Sequence, residues 1–300
     1  MDIIRRTKNV KMSLLDRGFN IFNFLIMLIV VIITFYPFIY IVMLSMSSGD
    51  VYGKLLFAPV GFTLKGYIAC LESSNMLHGF MVSIARSTLG PICTLIVIFM
   101  GAYVLSRKDF IFRKHLSKYL IFTMYFSGGL IPVYLVISWL NLTGTFWVYI
   151  IPRLAAIYHL ILIRTYIQEL PKELEESAYI DGAKDYQIAF RILFPLCTPI
   201  ISAIVLFQFI SQWNAFTDTL IYNSMYPEYH TFQYILMGFM KMQQAFSLES
   251  YINMYESLQR MSVESIRMAM TIIVIIPIII VYPFMQRYFI KGIMVGAIKG

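Results

Sequence analysis

The sequence predicts an all-α integral membrane protein with six transmembrane helices. Three observations carry this. The 300 residues are 59% hydrophobic and only 13% charged, with a mean hydropathy of +0.73, whereas a soluble domain carries about 25% charged residues. Such a chain has too few polar side chains to cover a water-facing surface. Second, six segments approach the roughly 20 apolar residues that a helix needs to cross the hydrocarbon core. Third, most of the 24 Lys and Arg fall in alternate connections, as the positive-inside rule requires.

The elements follow in order. Residues 1–19 form a cytoplasmic N-terminal segment carrying Arg5, Arg6, Lys8, Lys11 and Arg17. The first span, 20–46, is longer than a signal-peptide core and lacks a small-residue cleavage site, so it reads as a retained anchor. An outer loop, 47–78, leads to the second span, 79–105. The next connection is basic, with Arg107, Lys108, Arg113, Lys114 and Lys118. The third span, 117–140, is interrupted at Ser127-Gly128-Gly129, where the glycines permit close helix approach or a local break. The fourth span is 145–168 and the fifth 196–222. Between them lies a polar island flanked and crossed by Arg164, Lys172, Lys184 and Arg191. The second outer loop, 223–267, contains "YILMGFMKMQQAFSLESYINMYESLQRM". Its Met, aromatic and acidic residues read as an amphipathic stretch on the membrane or an outer partner, or as an ordinary packed loop. The sixth span, 268–290, is interrupted by Pro277 and Pro283. Breaks of this kind are tolerated where neighbours or water satisfy the freed backbone. A tail, 291–300, follows, and the basic bias puts both termini and the polar island in the cytoplasm.

Several classes are excluded or weakened. The net charge of +8 reads as positive-inside bias rather than nucleic-acid binding. Cys70, Cys93 and Cys197 are scattered and form no disulfide framework. No HExxH, nucleophile elbow or P-loop occurs. His78, His115, His159 and His230 lack metal-ligand spacing, so neither an enzyme nor a metal site is expected. An ion-coupled secondary transporter is the main rival from another class. That class often shows internal repeats, and no repeat is visible here.

The island reads "PKELEESAYIDGAKDYQIAFRILFPL", residues 171–196. Pro171 suits a first helical position, and Glu173, Glu175 and Glu176 complement the positive end of a helix. Leu174 and Ala178 share one face, and the small Ala178 lets another surface approach. Asp181-Gly182 signals a turn. A second short helix over about 184–193 carries Tyr186, Phe190 and Ile192 toward Pro195. The result is a helical hairpin with acids and apolar knobs, suited to docking a cytoplasmic partner or to resting on lipid headgroups.

"EESAYIDGAKDYQIAFRILFP" resembles the EAA loop of ATP-binding-cassette importer permeases. Glu176, Ala178, Asp181, Gly182, Ile192 and Pro195 fall in register; Ser177 and Phe194 depart conservatively. "GAYVLSR" at 101–107 resembles the maltose-type carbohydrate permeases. "FSGGLIPVYL" at 126–135 and "YPFMQRYFIKGIMVGAIKG" at 282–300 are similar to a subgroup for complex oligosaccharides, including pectin-derived ones. The resemblance implies a type I importer permease fold in a bacterial plasma membrane. It implies a heterodimer with a second homologous permease, two ATPase subunits that hold the ATP and Mg, and an extracytoplasmic solute-binding protein that delivers an oligosaccharide. No cofactor is expected on this chain. The hairpin residues Glu173, Glu176, Ala178, Asp181, Gly182, Ala183, Phe190 and Pro195 would couple to the ATPase. Lys299 and Gly300 would reach toward it, unless the tail is a frayed terminus. A permease for an amino acid, peptide or metal is the alternative within the class.

Polar groups within spans are costly and usually face protein or a water-filled cavity. Arg86, Arg153, His159, Gln212, Trp213, Asn214 and Asp218 are therefore candidates for a substrate path. Trp213 could stack on a sugar ring while Asn214 bonds hydroxyls, or both could serve helix packing. Arg86 and Arg153 either face the path, which would suit a cargo with carboxylates, or pair with Asp218 or an acid of the partner chain. His159 reads as a satisfied structural residue or a ligand.

Overall fold

The computed structural model describes residues 14–48, 57–242 and 263–297. Among these residues every regular element is helical. The chain divides into two compact units: residues 1–66 with 260–272, and residues 67–259 with 273–300.

In the first unit, α1 (Leu14–Ser45) is apolar on every side and runs through Pro37. Its apolar side chains are largely exposed, as suits a helix that meets lipid, while Leu44 near its end is buried against Met268. After it the chain doubles back. The Thr63 amide bonds the Met46 carbonyl at 2.9 Å, and the Ser48 amide bonds the Val60 carbonyl at 2.9 Å. Ser265, at the start of α13 (Val263–Ala297), donates its hydroxyl to the Ser47 carbonyl at 2.9 Å.

The second unit is organised around α3 (Ser74–Ser106), which follows the short α2 (Lys65–Glu72). Against α3 pack α6 (Ile157–Glu169), α10 (Thr198–Asn214) and α12 (Phe232–Met242). One core lies toward the C-terminal end of α3, where Ile98, Phe99 and Ala102 meet Ile163, Ile188, Leu193, Cys197 and Ile204. A second core lies toward its other end, where Val82 meets Ile137, Val148, Tyr149 and Ile150.

Three helices are each long and apolar enough to cross a membrane: Arg17–Ser45, Ser74–Ser106 and Ser265–Pro283. Three bent pairs bring the number to as many as six. The expected third span is α4 (Arg113–Tyr125) and α5 (Leu130–Trp139), turned by 116°. The turn falls at the predicted glycines. Gly129 has φ +84° and open space around it, so it is required for its backbone angle, not for close packing. The expected fourth span is the second pair, residues 146–153 and 157–169, bent by 45°.

The expected fifth span, the third pair, differs from expectation. The segment 185–196 meets α10 at 79°, and α10 ends at Asn214 rather than continuing to 222. Ala215 is extended, and a separate α11 (Thr217–Tyr222) follows. The expected interruption at Pro277 and Pro283 is absent, for α13 runs through both. Proline is tolerated in such helices because neighbours take over the freed backbone groups. The carbonyl of Val274, in the turn before Pro277, accepts the Trp213 indole N–H at 2.9 Å.

Candidate functional site

Two sites emerge, one near each end of α3. At its C-terminal end sits the hairpin. Its first arm, α7 (Glu173–Ile180), begins two residues after Pro171, and the amides of Glu175 and Glu176 bond the Lys172 carbonyl at 2.9 and 3.0 Å. Pro171 thus precedes the helix rather than opening it. Gly182 turns the chain with φ +77°, a conformation costing an L-residue about 1–2 kcal/mol. The second arm is α8 (Asp185–Gln187), a π-helical turn (Ile188–Leu193) and α9 (Phe194–Leu196). The wide turn puts Ile188, Ala189 and Leu193 into the core while Phe190 stays half outside. The ring of Phe99 lies 5.7 Å from that of Phe190 and 5.0 Å from that of Phe194.

The hairpin has two faces. Ala178 is buried in the chain's own core, so the small residue serves packing within this chain rather than a foreign surface. Glu173, Glu176, Asp181, Gly182 and Pro195 are exposed, and Ala183 is half-buried. Ile180, at the tip, is 86% exposed, and Tyr186 and Phe190 are also exposed. Sequence reasoning passed over Ile180.

It also missed how the hairpin is attached. Arg107 at the end of α3 forms an ion pair with Glu175. Its guanidinium lies 4.2 Å over the Tyr103 ring and 6.0 Å from the Tyr179 ring. The hydroxyls of Tyr103 and Tyr179 both donate to Asp185 Oδ1, the former at 3.3 Å. The bond to Asp185 pushes the Tyr179 phenol well above its ordinary range, so it stays a donor. Tyr103 and Arg107 are four apart on α3, as are Glu175 and Tyr179 on α7. That helical spacing was the available signal.

Toward the other end of α3, the path candidates Arg86, Arg153 and Asp218 meet. Both arginines bond one oxygen, Asp218 Oδ2, at 2.7 and 2.8 Å. Arg86 is fully buried and has several further partners. Nε and Nη2 donate to Gln212 Oε1 at 3.1 and 2.8 Å, and Nη1 donates to the Ala215 carbonyl at 3.2 Å. That carbonyl is available because α10 has just ended. The guanidinium also lies 4.3 Å from the Tyr149 ring centre. The Gln212 amide donates to the Tyr149 carbonyl at 3.0 Å, and the Tyr149 hydroxyl donates to the Tyr229 carbonyl at 2.6 Å.

Arg153 sits at the end of a 3₁₀ turn, Ile151–Arg153, before α6 resumes the span. It is 31% exposed, and its other bond, to Ser211 Oγ, is long at 3.4 Å. Asn214, three residues after Ser211, is exposed like it. Trp213 is placed differently from a sugar platform. It is 2% exposed, stacked on Phe209 and edge-on to Phe80, so it packs α10 against its neighbours in this conformation. His159 is half-buried, with Nδ1 2.8 Å from Gln208 Nε2. Lys299 and Gly300 lie outside the described residues. Among the described residues no group of three His, Cys, Asp or Glu could hold a metal ion.

The comparisons agree with this architecture. A family profile for the inner membrane component of binding-protein-dependent transport systems matches residues 106–295. The polygalacturonan/rhamnogalacturonan transport system permease protein YtcP of Bacillus subtilis is 32% identical, over 93% of this chain and 97% of that one. The arabinooligosaccharides transport system permease protein AraQ of Halalkalibacterium halodurans is 30% identical, over 82% and 83%. A crystal structure of a bacterial ABC transporter involved in the import of the acidic polysaccharide alginate superposes with a TM-score of 0.84. That chain is 30% identical, with 93% of this chain and 99% of that one covered. These relatives are transport subunits rather than enzymes. A multi-pass helical membrane protein with this profile match and these full-length likenesses belongs to the family of inner membrane components of binding-protein-dependent transport systems.

Proposed function

We propose that this chain is one permease subunit of an ATP-driven oligosaccharide importer in a bacterial plasma membrane. It pairs with a second, homologous permease. Two ATPase subunits, carrying the ATP and Mg, dock beneath, and an extracytoplasmic solute-binding protein delivers the sugar. Both termini and the hairpin face the cytoplasm, with 1–19 and 291–300 as cytoplasmic segments around a permease domain at 20–290. Lys299 and Gly300 lie toward the ATPase.

The observation that carries the reading is the two-faced hairpin. Its inner face buries Ala178 in the core and is fastened to α3 by the aromatic contacts of Phe99 and the Arg107–Glu175 pair. Its outer face offers exposed acids and the apolar knob Ile180. A surface both firmly attached and outwardly apolar suits a partner that pushes on it. Closure of the ATPase pair presses Glu173, Glu176, Asp181 and Gly182, with Ala183, Phe190 and Pro195 behind them, and α3 carries the displacement inward. The two permeases then alternate between outward and inward access. Arg153, Asn214 and Asp218 line the path, supported from behind by Arg86, Gln212, Trp213 and His159. The relatives named for polygalacturonan/rhamnogalacturonan and arabinooligosaccharides transport favour an oligosaccharide cargo.

The test is substitution at the outer face. Glu176→Lys and Gly182→Pro are expected to abolish uptake and weaken ATPase retention during purification, while the chain still inserts in the membrane. Wild-type uptake and stimulated ATPase activity in both variants would refute the coupling role.

A further inference from the structure

The arginine cluster of Arg86, Arg153 and Asp218 does not balance its charge. Arg86 and Arg153 share one oxygen of one carboxylate. Among the described residues this leaves one positive charge uncompensated. A cation within or at the edge of a span requires a partner or water.

The two arginines are not equivalent. Arg86 is fully buried and donates to Gln212, Ala215 and Asp218 with its ring partner Tyr149 behind it. Arg153 is 31% exposed, with one good bond to Asp218 and one long contact to Ser211. The open donors therefore belong to Arg153.

The backbone around it points the same way. The chain is irregular at 146–156, where two 3₁₀ turns, Phe146–Tyr149 and Ile151–Arg153, precede α6, and again at 215–216, between α10 and α11. Non-helical backbone at membrane depth is stable only when buried in protein or lining a water-filled cavity. Broken helices are also where transporters place their substrate sites. Ser211 and Asn214, both exposed, lie on the last turn of α10 before the second break.

We propose that Arg153, with Ser211 and Asn214, forms a carboxylate-reading subsite, and that the cargo is an acidic, uronate-containing oligosaccharide. This deepens the oligosaccharide-importer reading and rests on it. Arg153 presents a planar fork of N–H groups, which matches a carboxylate in two parallel bonds. The amide of Asn214 and the hydroxyl of Ser211 suit the sugar hydroxyls beside it. Asp218 is a positioning residue. It orients the Arg153 fork and offsets part of its charge, so that the cargo is held without being trapped. Arg86 fixes Asp218 from behind and touches no cargo.

The experiment uses the full importer complex in proteoliposomes with its binding protein. The probes are tetragalacturonate and the same tetrasaccharide with its carboxyls reduced to neutral alcohols. Wild type is expected to take up the acidic probe and to prefer it over the neutral one. Arg153→Gln is expected to raise KM for the acidic probe at least tenfold. Arg153→Lys, which keeps the charge but loses the fork, is expected to raise KM severalfold with little change in maximal rate. Three results would overturn the inference while leaving the importer reading intact. One is unchanged kinetics in Arg153→Gln. Another is equal uptake of the neutral probe by wild type. The third is failure of Arg153→Gln to co-purify with the second permease, which would assign Arg153 to an acid of that subunit. Failure of wild type to take up any oligosaccharide, acidic or neutral, would instead sink the importer reading itself.

Discussion

Asp218 is the residue on which the path cluster turns, because it is the shared anion for two cations. Breaking a buried ion pair by removing one partner costs about 3–5 kcal/mol. Asp218→Asn is therefore expected to destabilise the complex strongly, read as a fall in thermal stability in detergent, whereas Arg153→Gln removes the surplus charge and should cost far less. Equal stability of the two variants would contradict the charge count. Arg86, Arg153 and Asp218 were each legible in the sequence as costly polar groups in spans. Their convergence was not, because the bonding residues lie 132 and 65 positions apart and no local pattern records such a distance. Trp213 illustrates the reverse case. Its residue type suits a sugar platform, but burial among Phe80, Phe209 and Val274 depends on packing that composition does not encode. Tyr179 yields a pH expectation. Its bond to Asp185 raises the phenol's pKa, so this contribution is fully present below the ordinary tyrosine pKa of about 10. It is lost as pH rises through the higher folded value. Tyr179→Phe is expected to lower the complex's thermal stability at neutral pH and to narrow that deficit at strongly alkaline pH. A deficit independent of pH would contradict it.

At the scale of elements, the hairpin and α3 form one mechanical piece. Arg86 and Arg107 stand about 30 Å apart along α3, at 1.5 Å per residue, so under the proposed mechanism the helix links the hairpin to the arginine cluster. The fastening is the cage of Arg107, Tyr103, Tyr179, Glu175 and Asp185. A hydrogen bond to a charged group contributes about 1.5–3 kcal/mol, and Arg107→Glu should lose that and add repulsion. It is expected to lower ATP-driven uptake severalfold, and adding Glu175→Arg should restore most of it. No rescue by the double variant would mean that Arg107 acts through some other contact. The helical hairpin and its glycine turn could be read from Asp181-Gly182 and the flanking acids. The π-helical turn over Ile188–Leu193 could not, since its apolar residues fit an ordinary helix equally well. The same limit applies to α13, where Pro277 and Pro283 suggested breaks but the helix runs through both. At Gly129 the local signal prevailed, because few other residues accept its backbone angle.

For the whole molecule, the broad apolar surfaces of α1, α4 and α5 suit lipid and a second permease, and the hairpin suits a subunit outside the membrane. The energy source separates the two classes of transporter. An importer driven through the hairpin needs ATP and no ion gradient, whereas a secondary transporter needs the reverse. The direct measurement is oligosaccharide uptake into proteoliposomes containing the full complex, with ATP present on the ATPase side and ionophores added to collapse every ion gradient. Uptake that persists under ionophores, and that disappears without ATP or in Glu176→Lys, is the expected result. Uptake that survives ATP removal and fails when the gradients collapse would contradict it.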